Sequence, residues 1–96
     1  MLNQLVIVGK CSSEIKPFIE DGLFTFSIKV PRAYKTNNVE EEDEIECVIS
    51  GSFLEEIMKY IKLNDIVGVK GYLRNYNGNV RVFAERLTFL NKHDEE

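Results

Sequence analysis

Apolar and polar residues alternate along several stretches of the chain, and in one stretch the apolar residues recur at helical spacing instead. Gln4 to Gly9 carries Leu5, Val6, Ile7 and Val8, with β-branched residues on both faces, which predicts a central strand covered on both sides. From Leu23 to Val30 the period is two: Phe24, Phe26, Ile28 and Val30 take one face, and Thr25, Ser27 and Lys29 the other. Pro31, which has no amide donor, ends or bends that strand. Ile45 to Ser50 predicts a third strand. Ser52 with Glu55 three residues later makes a capping box, and Leu54, Ile57, Met58 and Ile61 follow at helical spacing, predicting about three turns of helix with one apolar, core-facing stripe. Ile66 to Tyr76 and Val80 to Leu90 are the fourth and fifth strands. Between them, Asn77-Gly78 specifies a two-residue type I′ hairpin, since both residues tolerate positive φ. Asp21-Gly22 marks an earlier turn, and the polar stretch from Arg32 to Glu44 reads as a long exposed loop. Phe24, Phe26 and Phe89 are assigned to the core.

Three strands, one helix and two more strands, with no repeat and no linker, follow the order of an OB-fold. This all-β class is a five-stranded Greek-key barrel, here with one α-helix between strands 3 and 4. Another small barrel with a capping helix shares that order. A parallel sheet does not fit, because each parallel pair needs its own crossover. At 96 residues the chain has room for one domain, placed at residues 1–91, with a short acidic tail over 92–96. Hydrophobic residues at 44% and charged residues at 29% give a globular composition. No apolar run approaches the roughly 20 residues a bilayer requires, and no cleavage-site pattern follows the first apolar stretch. The expectation is a soluble, cytoplasmic protein without a membrane partner.

The residue inventory argues against an enzyme. His93, the one histidine, is the fourth residue from the end of the sequence, so neither a Ser-His or Cys-His pair nor a histidine-rich metal site can be assembled. Gly9-Lys10 lacks the second glycine and the Ser/Thr of a phosphate-binding loop, and Ser50-Gly51-Ser52 lacks the spacing of a nucleophile elbow. Cys11 and Cys47 are too few and too far apart for a disulfide framework or a CxxC site, and read as buried or half-buried free thiols. No catalytic residue, metal or cofactor is expected, which leaves binding.

A net charge of −4 opposes binding to a polyanion, but the charge is unevenly spread. Glu40 to Glu44 with Glu46, and Asp94 to Glu96, hold nine of the sixteen acids; elsewhere twelve bases face seven acids. The acidic run reads as a solvated loop, as a competitor for the basic face, or as a partner-binding surface. Among the bases, Lys29, Arg32 and Lys35 gather near the end of the second strand, with Tyr34 between the last two. Lys70, Tyr72, Arg74 and Tyr76 share one face of the fourth strand, and Arg81 lies on the fifth. Bases and aromatics at strand spacing supply phosphate partners and stacking surfaces for single-stranded nucleic acid. Surface tyrosines that cover their neighbours among solubilising charges are the plainer alternative.

The order of motifs adds a resemblance that spans Met1 to Leu90. Met1-Leu2-Asn3-Gln4 leading into Val6-Ile7-Val8-Gly9-Lys10, Phe26-Ser27-Ile28-Lys29-Val30 followed by Arg32 and Lys35, and Tyr60-Ile61-Lys62 leading to Val67-Gly68-Val69-Lys70-Gly71-Tyr72-Leu73-Arg74 together resemble bacterial single-stranded DNA-binding proteins. The resemblance implies sequence-independent binding of single-stranded DNA in replication, recombination or repair. It adds Lys10 to the candidate DNA contacts Lys29, Arg32, Tyr34, Lys35, Lys70, Tyr72, Arg74, Tyr76 and Arg81. It also implies a homodimer or homotetramer in which first strands pair edge to edge. The sequence departs from that family at Ile45 and near Gly51, where aromatic residues are usual, and in the short Asn77-Gly78 hairpin. It also stops at His93-Asp94-Glu95-Glu96, as a short, tailless member would. The short hairpin and the missing tail are similar to primosomal replication protein N, which would imply an OB-fold adaptor in replication restart, binding replication or primosome proteins as well as DNA.

Overall fold

In the computed structural model, residues 1–18, 22–32, 37 and 41–90 are described; Tyr34, Lys35 and the acidic tail at 92–96 lie outside them. The elements run β1 (Leu5–Cys11), β2 (Lys16–Pro17), β3 (Leu23–Pro31), β4 (Glu42–Ser50), a 3₁₀ turn (Gly51–Phe53), α1 (Leu54–Tyr60), β5 (Ile66–Tyr76) and β6 (Asn79–Phe89). Sheet order is β1-β5-β6-β4-β3-β2, and β1 also pairs with β3. That last pairing closes five strands into a barrel, with the two-residue β2 added to the edge of β3. All pairs are antiparallel except β4 with β6. This is the expected OB-fold order, with the helix between the third and fourth long strands.

The alternation in the sequence accounts for the interior. Phe26 and Ile28 from β3, Cys47 and Ile49 from β4, Val67 and Val69 from β5, and Val82 from β6 form one buried cluster, which Ile57 of α1 plugs at one end. Phe24 and Phe89, also expected in the core, pack against it partly buried. Both cysteines are free and buried. Burial is the main cause that pushes the Cys47 thiol up to about 12, so it stays protonated at neutral pH. Outside the barrel, Asn3 acts as one more strand residue. Its side-chain amide donates to the Leu73 carbonyl at 2.8 Å and accepts from the Leu73 amide at 2.9 Å, pinning the N-terminal segment along β5.

Three expectations are corrected. β1 is covered on one side only, since Val6 and Val8 on its outward face are exposed. The helix is a seven-residue element preceded by a 3₁₀ turn. Its cap is Ser50, whose hydroxyl accepts from the Ser52 amide at 3.2 Å, and the residue before the helix itself, Phe53, makes no side-chain cap. Ser52 therefore sits inside the turn, and Met58, assigned to the apolar stripe, is 70% exposed. The stretch from Arg32 to Glu44 is not wholly loop. β4 begins at Glu42, and its acids stand opposite the end of β3 in the register Lys29 to Glu44, Val30 to Asp43 and Pro31 to Glu42. The Arg32 amide extends the ladder by donating to the Glu41 carbonyl at 2.8 Å. A run of acids is a poor strand former alone, but pairing with a basic strand end offsets its self-repulsion.

The β5–β6 hairpin turns at Asn77 (φ 53°) and Gly78 (φ 84°), as the dipeptide predicts. Ten residues of β5 pair with β6, with a bulge where Lys70 faces Arg86 and Gly71 faces Ala84. At that bulge a Cβ on Gly71 would collide with the Phe83 carbonyl, a backbone atom that cannot swing aside. Replacing Gly71 with Ala should therefore cost at least about 2 kcal/mol of stability. Chemical denaturation is the measurement, and an unshifted midpoint would show that the two strands can separate there without penalty.

Candidate nucleic-acid interface

The bulge that bends the hairpin leaves the face of β5 intact, because the extra residue, Glu85, belongs to β6. Lys70, Tyr72, Arg74 and Tyr76 therefore keep one outward face, as their period-two spacing predicts. The registers extend this face across four strands. Thr25 on β3 faces Val48 on β4, Val48 faces Phe83 on β6, and Phe83 faces Tyr72 on β5. In the adjoining row Ser27 faces Glu46, and Arg81 faces Arg74. Beyond it, Lys29 faces Glu44, and Asn79 faces Tyr76.

Side chains on this face form two aromatic clusters, each holding a guanidinium. In the first, the rings of Tyr72 and Phe83 stack with centroids 5.8 Å apart and planes 24° apart, while the Arg74 guanidinium carbon lies 5.0 Å above the Phe83 ring. In the second, Phe18 packs on Tyr76 with centroids 5.2 Å apart, and the Arg81 guanidinium carbon lies 5.1 Å above Phe18. Arg81 also donates from Nε to Glu46 Oε1 at 2.7 Å and from Nη1 to the Tyr76 carbonyl at 3.3 Å. Two arginines placed directly opposite repel each other. Here each guanidinium leans away onto its own ring, and Arg81 has a carboxylate as well.

The other predicted residues are more scattered. Lys29 lies on the same sheet face beyond β4, and Lys10 stands directly opposite it where β1 meets β3. Lys70 lies past the bulge, opposite Arg86. Arg32, just after β3, is engaged by acids: Nε and Nη2 donate to Asp43 Oδ1 at 3.1 and 2.8 Å, and Nη1 pairs with Glu41. This contact holds the Asp43 carboxyl below its ordinary range and raises the Arg32 guanidinium. Two residues of the face were missed by the sequence reading, Phe83 and Phe18, while Glu46 was read only as a member of the acidic run that is a solvated loop, a competitor for the basic face or a partner surface. Only Phe83 left a signal, because the consecutive apolar pair Val82-Phe83 breaks the alternation and puts a ring on the outer face, where it is 7% exposed. Phe18 and Glu46 reach the site through folding of the β2 segment and through the parallel β4–β6 pairing.

A family model described as an OB-fold nucleic acid binding domain matches residues 40–90, which is the segment from the acidic run through β6. The chain belongs to this OB-fold family. Among individual proteins, it is 32% identical to the single-stranded DNA-binding protein of Bacillus cereus, over 94% of this chain and 61% of that protein. It is 30% identical to single-stranded DNA-binding protein 3 of Listeria innocua, over 94% of this chain and 64% of that one. The chain thus spans about three fifths of the length of these relatives. Among solved structures, the dimeric N-terminal domain of PriB from Thermoanaerobacter tencongensis superposes with a TM-score of 0.72 at 26% identity, covering 92% of this chain and 96% of that one.

The Arg32–Asp43 contact makes its own prediction. With Arg32 replaced by Gln, the Asp43 carboxyl should titrate at higher pH, back in the ordinary carboxylate range, because the hydrogen bond that favours its ionised form is gone. Carboxyl NMR titration of both proteins is the check, and identical Asp43 curves would show that the pair does not persist in solution.

Proposed function

We propose that residues 1–91 form an OB-fold domain that binds single-stranded DNA without sequence preference, a binding rather than a catalytic protein. The observation that carries this reading is the Tyr72–Phe83 stack with the Arg74 guanidinium over it, on the outward face of β5 and β6. Every base has a π-face, so a ring exposed beside a guanidinium accepts any base and its phosphate together. Tyr72 offers that ring. Lys29, Lys10, Lys70 and Arg81 extend positive charge along the sheet; Lys35 and Arg32 would add charge, and Tyr34 a stacking ring, from the β3–β4 connection. The names of the Bacillus and Listeria relatives support the same ligand. Replication, recombination and repair, in the cytoplasm, are the settings this activity implies.

Self-association belongs to the same reading. β1 pairs with β5 along Leu5 to Lys10 but with β3 only at Lys10 and Cys11, so its other edge from Leu5 to Gly9 has no partner strand among the described residues. On the outward face of this strand Val6 is 67% and Val8 47% exposed. Pairing with β1 of a second copy would satisfy the backbone groups and cover these side chains. The dimeric PriB domain is consistent with a homodimer, with a homotetramer as a further step. A second function, an adaptor that binds replication or primosome proteins as well as DNA, is favoured by the same structural likeness and by the carboxylate of Glu46 within the face.

Fluorescence polarisation with labelled oligo-dT tests the reading. Tyr72→Ala should lose roughly 1–3 kcal/mol of binding with the salt slope unchanged, whereas Arg74→Ala should lower the slope by about 0.7. Full affinity in a folded Tyr72→Ala protein would move the assignment to the adaptor. For the assembly, light scattering at micromolar concentration should give a multiple of the 11.1 kDa chain mass; a monomer would leave the β1 edge without the proposed role.

A further inference from the structure

We infer that Glu46 sets the affinity of this face for a nucleic-acid strand by holding, with its own carboxylate, the Arg81 guanidinium that a phosphate would otherwise engage. The inference rests on the single-strand reading above and identifies the residue that regulates that site.

The two arginines stand opposite each other on neighbouring strands but are held differently. Arg74 lies over Phe83, and among the described residues no carboxylate pairs with it. Arg81 is held on three sides: by Glu46 at 2.7 Å, by the Tyr76 carbonyl, and by the ring of Phe18. Its side chain is 16% exposed, against 39% for that of Glu46. Glu46 is thus the more solvent-accessible partner of the pair, and water or a phosphate can reach it.

Carboxylate and phosphate oxygens compete for the same guanidinium donors, because both fit its planar fork. The contest is built into the sheet. Parallel pairing aligns Cys47 with Val82 and Val48 with Phe83, which brings Glu46 beside Arg81 in the adjoining position. Meanwhile Phe18 packs on Tyr76 and roofs the guanidinium. A strand can thus engage the Tyr72–Arg74 half directly, whereas at the Tyr76–Arg81 half a phosphate competes with Glu46 for Nε of Arg81. A partly exposed ion pair is weak enough for that exchange, so Glu46 reduces affinity without abolishing binding. It also spares one counterion that Arg81 would release on meeting a phosphate.

The test is a double-mutant cycle on the full chain, with labelled oligo-dT titrated over a range of salt. Glu46→Gln should bind about three- to fivefold more tightly at low salt, with a log–log salt slope steeper by about 0.7. In an Arg81→Met background the same substitution should change affinity less than about twofold, because no guanidinium is left to release. An equal gain in both backgrounds would mean that only bulk charge was removed, and would overturn the inference. So would an unchanged Glu46→Gln protein, while wild-type binding left the single-strand reading intact. Binding by none of the four proteins would sink both. Circular dichroism establishes that each variant is folded; if Glu46→Gln is not, Glu46→Asp, which withdraws the carboxylate by one methylene, should shift affinity in the same direction, and no shift would overturn the inference.

Discussion

At Gly71 the backbones of β5 and β6 approach so closely that a side chain has no room, and both halves of the molecule depend on that approach. On one side of the bulge β5 pairs with β1 and closes the barrel; on the other the same two strands run on into the hairpin, alongside β4. The change of direction lets eleven-residue strands serve two neighbours in turn. A second close approach supports the closure. A Cβ on Gly9 would strike the Lys29 carbonyl, next to the point where β1 meets β3. A chain of 96 residues has a small core, and these contacts let five strands share it.

The outward face follows from the same geometry. Because the extra residue of the bulge belongs to β6, Tyr72, Arg74 and Tyr76 stay in step on β5, while Phe83 and Arg81 come opposite the first two. The face combines stacking rings with cations, and folding also brings acids to it. Glu46 meets Arg81, and Glu41 with Asp43 meets Arg32. Three of the sixteen acids are therefore held against arginines of the sheet and not simply solvated. A polyanion approaching this surface meets arginines in two conditions, one lying on a ring and two already held by carboxylates.

The sequence by itself determined the elements and the core. Period two in β3 named Phe26 and Ile28, the Asn77-Gly78 dipeptide named the turn, and the spacing of Tyr72, Arg74 and Tyr76 named a shared face. Each is a local property, set by backbone geometry within a few residues. The helix cap was misread for the opposite reason. Ser50 and Ser52 offer equally good hydroxyls, and the choice fell to the 3₁₀ turn that leads the chain out of β4. The acidic run was misread because its strand character comes from the basic end of β3 across the ladder. Only the tertiary structure decided which charges stay available and which rings are covered. Phe18, Glu46 and Arg81 stand at distant places in the sequence, and their meeting depends on strand order and register, which emerge once the barrel closes.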